Sequence, residues 1–244
     1  MNNLCSILGL TLLLTACGSP AENPAADSGT PSDGGLPDSS RSATCSSARS
    51  QLLGAVDAVA AGNVTVIGTS SGVTTLYVDA SAGGSANASK SAWSFISLET
   101  GAKIAVTDTS SFASTAWDLA FKRPIIYTNG GDGGSGQGAA ALIQKSFASV
   151  TAADASGATL QTEKFFDAQC NPKLDAAGSV QTTFTSWYDY NVATHALTPA
   201  AGTWLVRGGT GKLYKLEIQT YYANSDGTVG TGGGGTYALK IAAL

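Results

Sequence analysis

One stretch of this sequence, in its N-terminal third, has apolar residues that follow a clear helical period. Between residues 46 and 61, leucine, valine and alanine recur at helical spacing. Gly62 follows where a glycine commonly terminates a helix. This spacing predicts a helix over 46–61.

Beyond Gly62 the apolar residues alternate with polar ones, which is typical of strands with one face buried. In the clearest example Tyr214, Leu216 and Ile218 share the predicted core face, and Lys215 lies on the other. A hairpin turn is predicted at Gly208–Gly211. The predicted strands are 64–68, 73–80, 92–99, 212–222 and 236–242. Since these strands do not alternate with long helices, the predicted class is mainly β, an antiparallel sheet fold with one N-terminal helix.

The first residues resemble the export signal of a bacterial lipoprotein. The segment 4–16 is mostly apolar and too short to span a bilayer, and Cys17 follows a small residue, Ala16. We therefore expect a signal peptide over 1–16 and lipidation at Cys17, although an ordinary signal peptide with a chance cysteine is the alternative. Gly18 and Ser19 supply no acidic retention signal, which favours the cell outer membrane, with the protein lipid-anchored there.

The segment 17–44 is rich in proline, serine, glycine and aspartate and has a single large aliphatic residue, Leu36. Such a composition buries too little apolar surface to offset the entropy of ordering the chain. We predict a disordered tether over 17–44 and one β domain over 45–244.

Two cysteines remain in the predicted domain, Cys45 and Cys170. In an oxidising compartment such a pair predicts a disulfide, and two free buried thiols are the alternative. With 1 histidine and 4 cysteines in the whole chain, a structural zinc site in this domain is excluded. The net charge of −4, without a basic run, makes nucleic acid an unexpected partner.

Two glycine motifs match enzyme signatures by spacing but not by context. Residues 131–136 satisfy G-x-G-x-x-G, yet the segment that follows is too short and strand-like for a dinucleotide-binding helix. Residues 68–72 satisfy G-x-S-x-G, but a predicted strand follows the serine where a nucleophile elbow needs a helix. We therefore predict no enzymatic activity.

One histidine and a cluster of aromatic residues remain as candidate ligand-binding groups. His195 lies in a polar, turn-rich connection, where a solvated loop histidine is the alternative to a ligand. Trp187, Tyr188, Tyr190 and Trp204 could line an apolar pocket, or they could form ordinary β core.

Several blocks of this sequence resemble the HmuY-like family of outer-membrane lipoproteins, whose best-known members capture haem. The resemblance runs from about Val73 to the C-terminus and rests on a few marks. They are Trp93 with Phe95, Trp117-Asp118-Leu119-Ala120 with Arg123, the glycines after Asn129, and Arg207 with Tyr214-Lys215-Leu216. The resemblance implies that Trp117 lies in a core strand, that the glycines form a bend, and that Asp118 and Arg123 serve structure rather than catalysis.

The resemblance also implies a haem site, but this chain departs from the family pattern there. Relatives hold the iron between two histidines or methionines near the Trp187 strand, whereas Val192 stands near one of those positions here. The remaining candidate iron ligands are His195, Tyr190 and Tyr188, or ligands shared between two molecules. The position of Cys170, where relatives can place a ligand loop, implies a disulfide-stapled version of the fold.

These observations lead to two hypotheses from different classes. In the first, the protein is a lipid-anchored binding module that captures haem, a related tetrapyrrole or another small apolar ligand, and passes it to an outer-membrane receptor. In the second, it is a structural or interaction lipoprotein on the same fold that has lost the haem ligands.

Overall fold

The computed structural model describes residues 45–176 and 178–244. The predicted signal peptide, the lipidation site Cys17 and the tether lie outside the described residues. In the described part of the chain, no helix is long and apolar enough to cross a membrane.

The described residues form short helices and many strands. The α-helices are α1 (Ser46–Leu52), α2 (Asp108–Ser111) and α3 (Ala152–Gly157), with 3-10 turns at Ser85–Lys90 and Phe147–Ser149. The strands are β1 (Val64–Ser70), β2 (Val73–Asp79), β3 (Ser94–Ser97), β4 (Ala102–Lys103), β5 (Leu119–Lys122), β6 (Ile125–Thr128), β7 (Ala139–Ile143), β8 (Tyr188–Asn191), β9 (Ala196–Pro199), β10 (Thr203–Arg207), β11 (Leu213–Thr220) and β12 (Thr236–Ala243).

These strands form a six-stranded sheet in the order β1-β2-β12-β11-β10-β7 and a four-stranded sheet in the order β4-β3-β5-β6. A separate hairpin pairs β8 with β9. All of these strand pairs are antiparallel. The predicted mainly antiparallel β class is confirmed.

The strand β11 shows how the alternating pattern becomes a core. Tyr214, Leu216 and Ile218 are buried, whereas Lys215 and Glu217 between them are partly exposed. The turn that connects β10 to β11 is closed by the Gly208 amide, which donates to the Lys212 carbonyl at 2.8 Å. The predicted core face and hairpin are both confirmed.

The four-stranded sheet lies between two hydrophobic clusters, so its strands are apolar on both faces. In β5, Leu119 and Phe121 join the core shared with the six-stranded sheet, while Ala120 faces the other cluster. That second cluster contains Trp93, Phe95, Trp117, Tyr127 and Phe165. Burial on both faces explains why the chain around Trp117 is strongly apolar without clear alternation.

The predicted helix over 46–61 is wrong in its extent, because α1 ends at Leu52. Gly54 adopts a φ of +55°, a left-handed conformation that ends the helix. The following chain is held by tertiary contacts instead. The Leu53 carbonyl accepts from Trp93 Nε1 at 3.0 Å, and the Val56 amide donates to Asp108 at 2.8 Å. Contacts with the core therefore override the helical period.

Candidate functional site

The glycine-rich segment 130–138 is a tightly packed bend. Asn129 Nδ2 donates to the carbonyls of Ser114 and Trp117, each at 2.8 Å, and Asn129 Oδ1 accepts from the Gly136 amide at 3.1 Å. A Cβ atom on Gly138 would lie 2.5 Å from the Asn129 carbonyl carbon, so only glycine fits there. Because strand β7 follows this segment, it lacks the helix that a dinucleotide site requires.

Buried Arg49 holds this bend in place, and buried Asp118 holds the neighbouring backbone. Arg49 donates from Nε to the Asp132 carbonyl at 2.9 Å and from Nη2 to the Gly133 carbonyl at 2.7 Å. Asp118 accepts from the amides of Leu98 at 2.6 Å and Gly209 at 2.8 Å. Both side chains thus bind backbone groups, and this is compatible with the structural role that the family resemblance implies for Asp118.

The second glycine motif is also a turn. Ser70 ends β1, and Ser71 and Gly72 follow with φ of +50° and +75° before β2 begins. The serine therefore lies in a hairpin, and the strand that follows it lacks the geometry of a nucleophile elbow.

His195 lies at the end of the turn that joins β8 to β9. Asn191 Oδ1 accepts from the amides of Ala193 and Thr194 at 2.9 and 3.1 Å, which shapes the turn. His195 itself has a φ of +56°, so the turn determines how its side chain leaves the backbone. Val192, at the tip of this hairpin, is 77% exposed.

The hairpin brings two of the candidate side chains into contact. The Tyr190 hydroxyl lies 2.5 Å from His195 Nδ1, and both residues are exposed. No hydrogen bond among the described residues involves His195 Nε2. The second ring nitrogen is therefore available to a ligand, while the first is held by the tyrosine.

His195 lines a cleft of about 490 Å³ between the β8–β9 hairpin and the loop before β12. This volume lies in the usual range of small-molecule sites, roughly 300–1,000 Å³. The other cleft residues are Arg123, Pro124, Thr194, Ala196, Leu197, Tyr221, Tyr222, Thr231, Gly232 and Gly233. The cleft thus combines one imidazole and one guanidinium with aromatic and apolar walls.

The aromatic wall is anchored to the hairpin and the core. The Leu197 amide donates to the Tyr222 hydroxyl at 2.9 Å, which ties β9 to the end of the six-stranded sheet. Tyr221 is buried, and burial raises the pKa of its phenol to about 12. Trp187 Nε1 donates to the Pro124 carbonyl at 2.7 Å beneath the cleft. The phenol of Tyr221 therefore stays neutral near pH 7 and offers an uncharged surface.

The other predicted pocket residues lie elsewhere. Trp187 and Trp204 are buried in the main core, which fits the interpretation of ordinary β core. Tyr188 is half-buried with its ring centroid 4.7 Å from that of Trp187, and it does not line the cleft. Burial, with a smaller contribution from Asp175, raises the pKa of Tyr188. The structure thus brings His195 and Tyr190 together and leaves Tyr188 against the core.

Cys45 and Cys170 form a disulfide that joins the start of α1 to the segment after Phe166. The two residues are separated by 125 positions. Among the described residues, no group of three or more histidine, cysteine or acidic side chains is placed to hold a metal ion.

The fold and the cleft define a mainly antiparallel β protein with a small-molecule-sized site beside a hairpin. A family model described as HmuY protein matches residues 89–232, which is more than half of the 244 residues. The chain belongs to the HmuY family. No curated protein matches the sequence.

Several solved structures are similar to this chain, and three of them are described below. A protein described as a lipoprotein from Bacteroides fragilis is 16% identical over 74% of this chain and 94% of that chain, with a TM-score of 0.44. A protein described as an HmuY-like heme-binding protein from Bacteroides vulgatus is 16% identical over 74% and 96%, with a TM-score of 0.44. The apo HmuY analog of Tannerella forsythia is 14% identical over 70% and 95%, with a TM-score of 0.43.

Sequence reasoning missed the other half of the cleft. Arg123 is one of the residues that carry the family resemblance, but nothing in the sequence pattern predicts that it lies beside His195. The loop 231–233 was visible only as part of a glycine run. The two segments meet because β6 and β12 begin close to each other at this end of the molecule, where Tyr237 in β12 donates to the Arg123 carbonyl at 2.6 Å.

Proposed function

We propose that this protein is a non-enzymatic binding protein that takes up haem, or a related tetrapyrrole, in the cleft beside His195. The observation that supports this most directly is the hydrogen bonding of the two ring nitrogens of His195. His195 Nδ1 is held by Tyr190, and Nε2 remains available at the cleft. A histidine that ligates a metal through one nitrogen commonly uses the other for such a hydrogen bond.

The residues of the cleft fit a flat, largely apolar group with an iron atom. His195 would hold the iron, and Leu197, Pro124 and Tyr222 would supply apolar contacts to the ring. When bound, the haem iron supplies the metal–imidazole bond that fixes the ligand. The chain's own residues orient the imidazole and shield the ring from water.

Ligation by this chain alone would be one-sided. Among the described residues, His195 is the single histidine and there is no methionine, so this part of the chain cannot supply a pair of such ligands. Tyr190 could replace His195 as the ligand only by giving up its hydrogen bond to the imidazole. A second molecule of the protein could supply a further ligand to the iron.

We further propose that the protein is exported and lipid-anchored through Cys17 in the cell outer membrane, and that it delivers its ligand to an outer-membrane receptor. The apolar segment 4–16 followed by Cys17 supports the anchor. A site in which one side chain binds the iron and the walls are apolar can release haem without any chemical step.

A second candidate function is a structural or interaction protein on the same fold. The observation that favours it is the exposed tip of the β8–β9 hairpin, where Val192 is 77% and Tyr190 52% exposed. In this second proposal, the exposed side chains at the hairpin tip would contact another protein.

Haemin titration of the protein expressed from its full sequence tests the first candidate. We expect a saturable, sharp Soret band at one haem per chain or per two chains, under oxidising and reducing conditions. His195→Ala should abolish the band, whereas Val192→Ala, in the same hairpin, should retain it. A broad absorbance that does not saturate and is unchanged in His195→Ala would refute haem capture and favour the interaction protein.

A further inference from the structure

The cleft beside His195 contains a cationic side chain and no acidic one. Arg123 is the only permanently charged residue that lines it, and the other lining groups are neutral apart from the imidazole of His195. Among the described residues, Arg123 forms no ion pair. The cleft is therefore electrostatically prepared for an anionic ligand.

The guanidinium of Arg123 uses one of its nitrogens for the protein. Nη1 donates to the carbonyls of Gly234 at 2.8 Å and Gly233 at 3.3 Å. No hydrogen bond among the described residues involves Nε or Nη2. The N–H groups of these two atoms lie along one edge of the planar guanidinium, and this edge is the fork that binds a carboxylate with two parallel hydrogen bonds.

The backbone of Arg123 is also fixed before any ligand binds. Its amide donates to the Ala80 carbonyl at 2.8 Å, and its own carbonyl accepts from the Tyr237 hydroxyl at 2.6 Å. Its φ of +51° lies in the left-handed region, which an arginine adopts only where the surroundings impose it. Hydrogen bonds fix both the backbone and Nη1 of Arg123. Binding of a ligand would therefore cost little conformational entropy at this side chain.

From this geometry we propose that Arg123 is a specificity-determining residue that binds a carboxylate of the ligand through its Nε and Nη2 edge. The cleft would then select a flat ligand that carries a carboxylate group, held at one point by Arg123 and at another by His195. This inference rests on the proposed function, since haem carries two propionate carboxylates. It adds that recognition needs a free carboxylate as well as the iron.

The first arm of the test changes the ligand and leaves the protein intact. Haemin, haemin dimethyl ester and metal-free protoporphyrin IX are titrated into the full-length protein, with Soret absorbance for the first two and fluorescence for the third. We expect the dimethyl ester to bind about 10- to 100-fold more weakly than haemin, as expected for loss of charge-assisted hydrogen bonds.

The second arm changes the arginine. Arg123→Gln should weaken haemin binding about 10- to 100-fold and leave the affinity for the dimethyl ester unchanged. Arg123→Lys, which keeps the charge but loses the fork, should give an intermediate affinity. Arg207→Gln is the matched control, because it removes the same charge from a residue that donates to the Gln137 carbonyl outside the cleft.

The results of the two arms together distinguish the carboxylate site from the proposed haem capture. Equal affinity for haemin and its dimethyl ester, or an equal loss for both ligands in Arg123→Gln, overturns the carboxylate site but leaves haem capture standing. Binding of metal-free protoporphyrin that matches haemin and depends on Arg123 supports the carboxylate site and refutes iron ligation by His195. If none of the three ligands binds, both proposals are wrong.

Discussion

The Tyr190 hydroxyl and His195 Nδ1 lie 2.5 Å apart across the β8–β9 hairpin. Within this two-stranded hairpin, Tyr190 pairs with Leu197, two positions beyond His195, so the strand register places the phenol against the imidazole. The hydrogen bond selects the position of the ring and leaves Nε2 at the cleft. In the proposed site, Tyr190 would thus position the histidine and would not itself bind the iron.

Replacement of Tyr190 by phenylalanine should therefore weaken haem binding without changing the type of iron ligation. We expect about a 10- to 100-fold lower affinity, the usual effect of losing the partner of a metal-ligating histidine. Soret titration measures the affinity, and the position of the band reports the ligand. Tyr188→Phe provides the contrast, since Tyr188 packs on Trp187. A larger loss in Tyr188→Phe than in Tyr190→Phe would show that Tyr188 contacts the iron.

The disulfide should be a major contributor to stability. It joins Cys45 to Cys170 across 125 positions, and closing so long a loop contributes about 4–5 kcal/mol to the free energy of unfolding in the chain-entropy model. The double variant Cys45→Ser and Cys170→Ser should lose that amount in urea denaturation. Reduction of the unmodified protein should lower its stability to the same level, and a stability unchanged by either treatment contradicts the prediction.

In the bend at 130–138, glycines that lie against other backbone atoms should not tolerate a side chain. Gly138→Ala would place Cβ 2.5 Å from the Asn129 carbonyl carbon, and we expect a loss of several kcal/mol or failure to fold. Gly157→Ala is the matched control at the end of α3, because a Cβ there meets nothing within 4 Å. We expect Gly157→Ala to be neutral or slightly stabilising. Similar thermal unfolding of the two variants would show that the bend can relax.

Much of this fold could be predicted because its signal is local. The alternation along 212–222 predicted which side chains of β11 are buried, since a strand with one solvent face repeats every second residue. The helix over 46–61 was overextended for a related reason. The chain after Leu52 is held by hydrogen bonds from Trp93 to the Leu53 carbonyl and from the Val56 amide to Asp108, and no local period reveals these distant contacts.

The candidate site depends on contacts that are distant along the chain. The sequence drew attention to His195 and Tyr190, but it could not place Arg123 in the same cleft, because its Nη1 contacts are more than a hundred positions away in the sequence. Buried charges were missed for the same reason. Arg49 is a charged residue within the predicted helix and Glu163 lies in a segment without a regular period, so only their distant backbone and side-chain partners explain their burial.

Glu163 gives the fold a pH dependence that can be measured. This carboxylate is 1% exposed and accepts hydrogen bonds from the amide and hydroxyl groups of both Thr128 and Thr183. Burial raises its pKa from 4.5 to about 7, although the hydrogen bonds act in the opposite direction. The folded state therefore holds this proton more tightly than the unfolded state does.

The sign of the effect follows from this linkage. For an acid whose pKa is raised by folding, the free energy of unfolding is highest below the unfolded pKa and falls as the pH rises towards the folded value. Between about pH 4.5 and pH 7 the group should cost about 3 kcal/mol of stability, and the loss should level off above pH 7. Glu163→Gln removes the titration while it keeps the side chain's shape and one acceptor oxygen.

Urea denaturation of both proteins at pH 5, 6, 7 and 8 isolates this group, because the other titrating residues are common to both. We expect the stability of the unmodified protein, relative to Glu163→Gln, to decline from pH 5 to pH 7 and then to stay constant. A relative stability that stays nearly constant from pH 5 to pH 8 would mean that the four hydrogen bonds outweigh burial and keep the folded pKa at or below its ordinary value. The carboxylate would then be ionised in the folded protein throughout, and its contacts with Thr128 and Thr183 would stabilise the charged form.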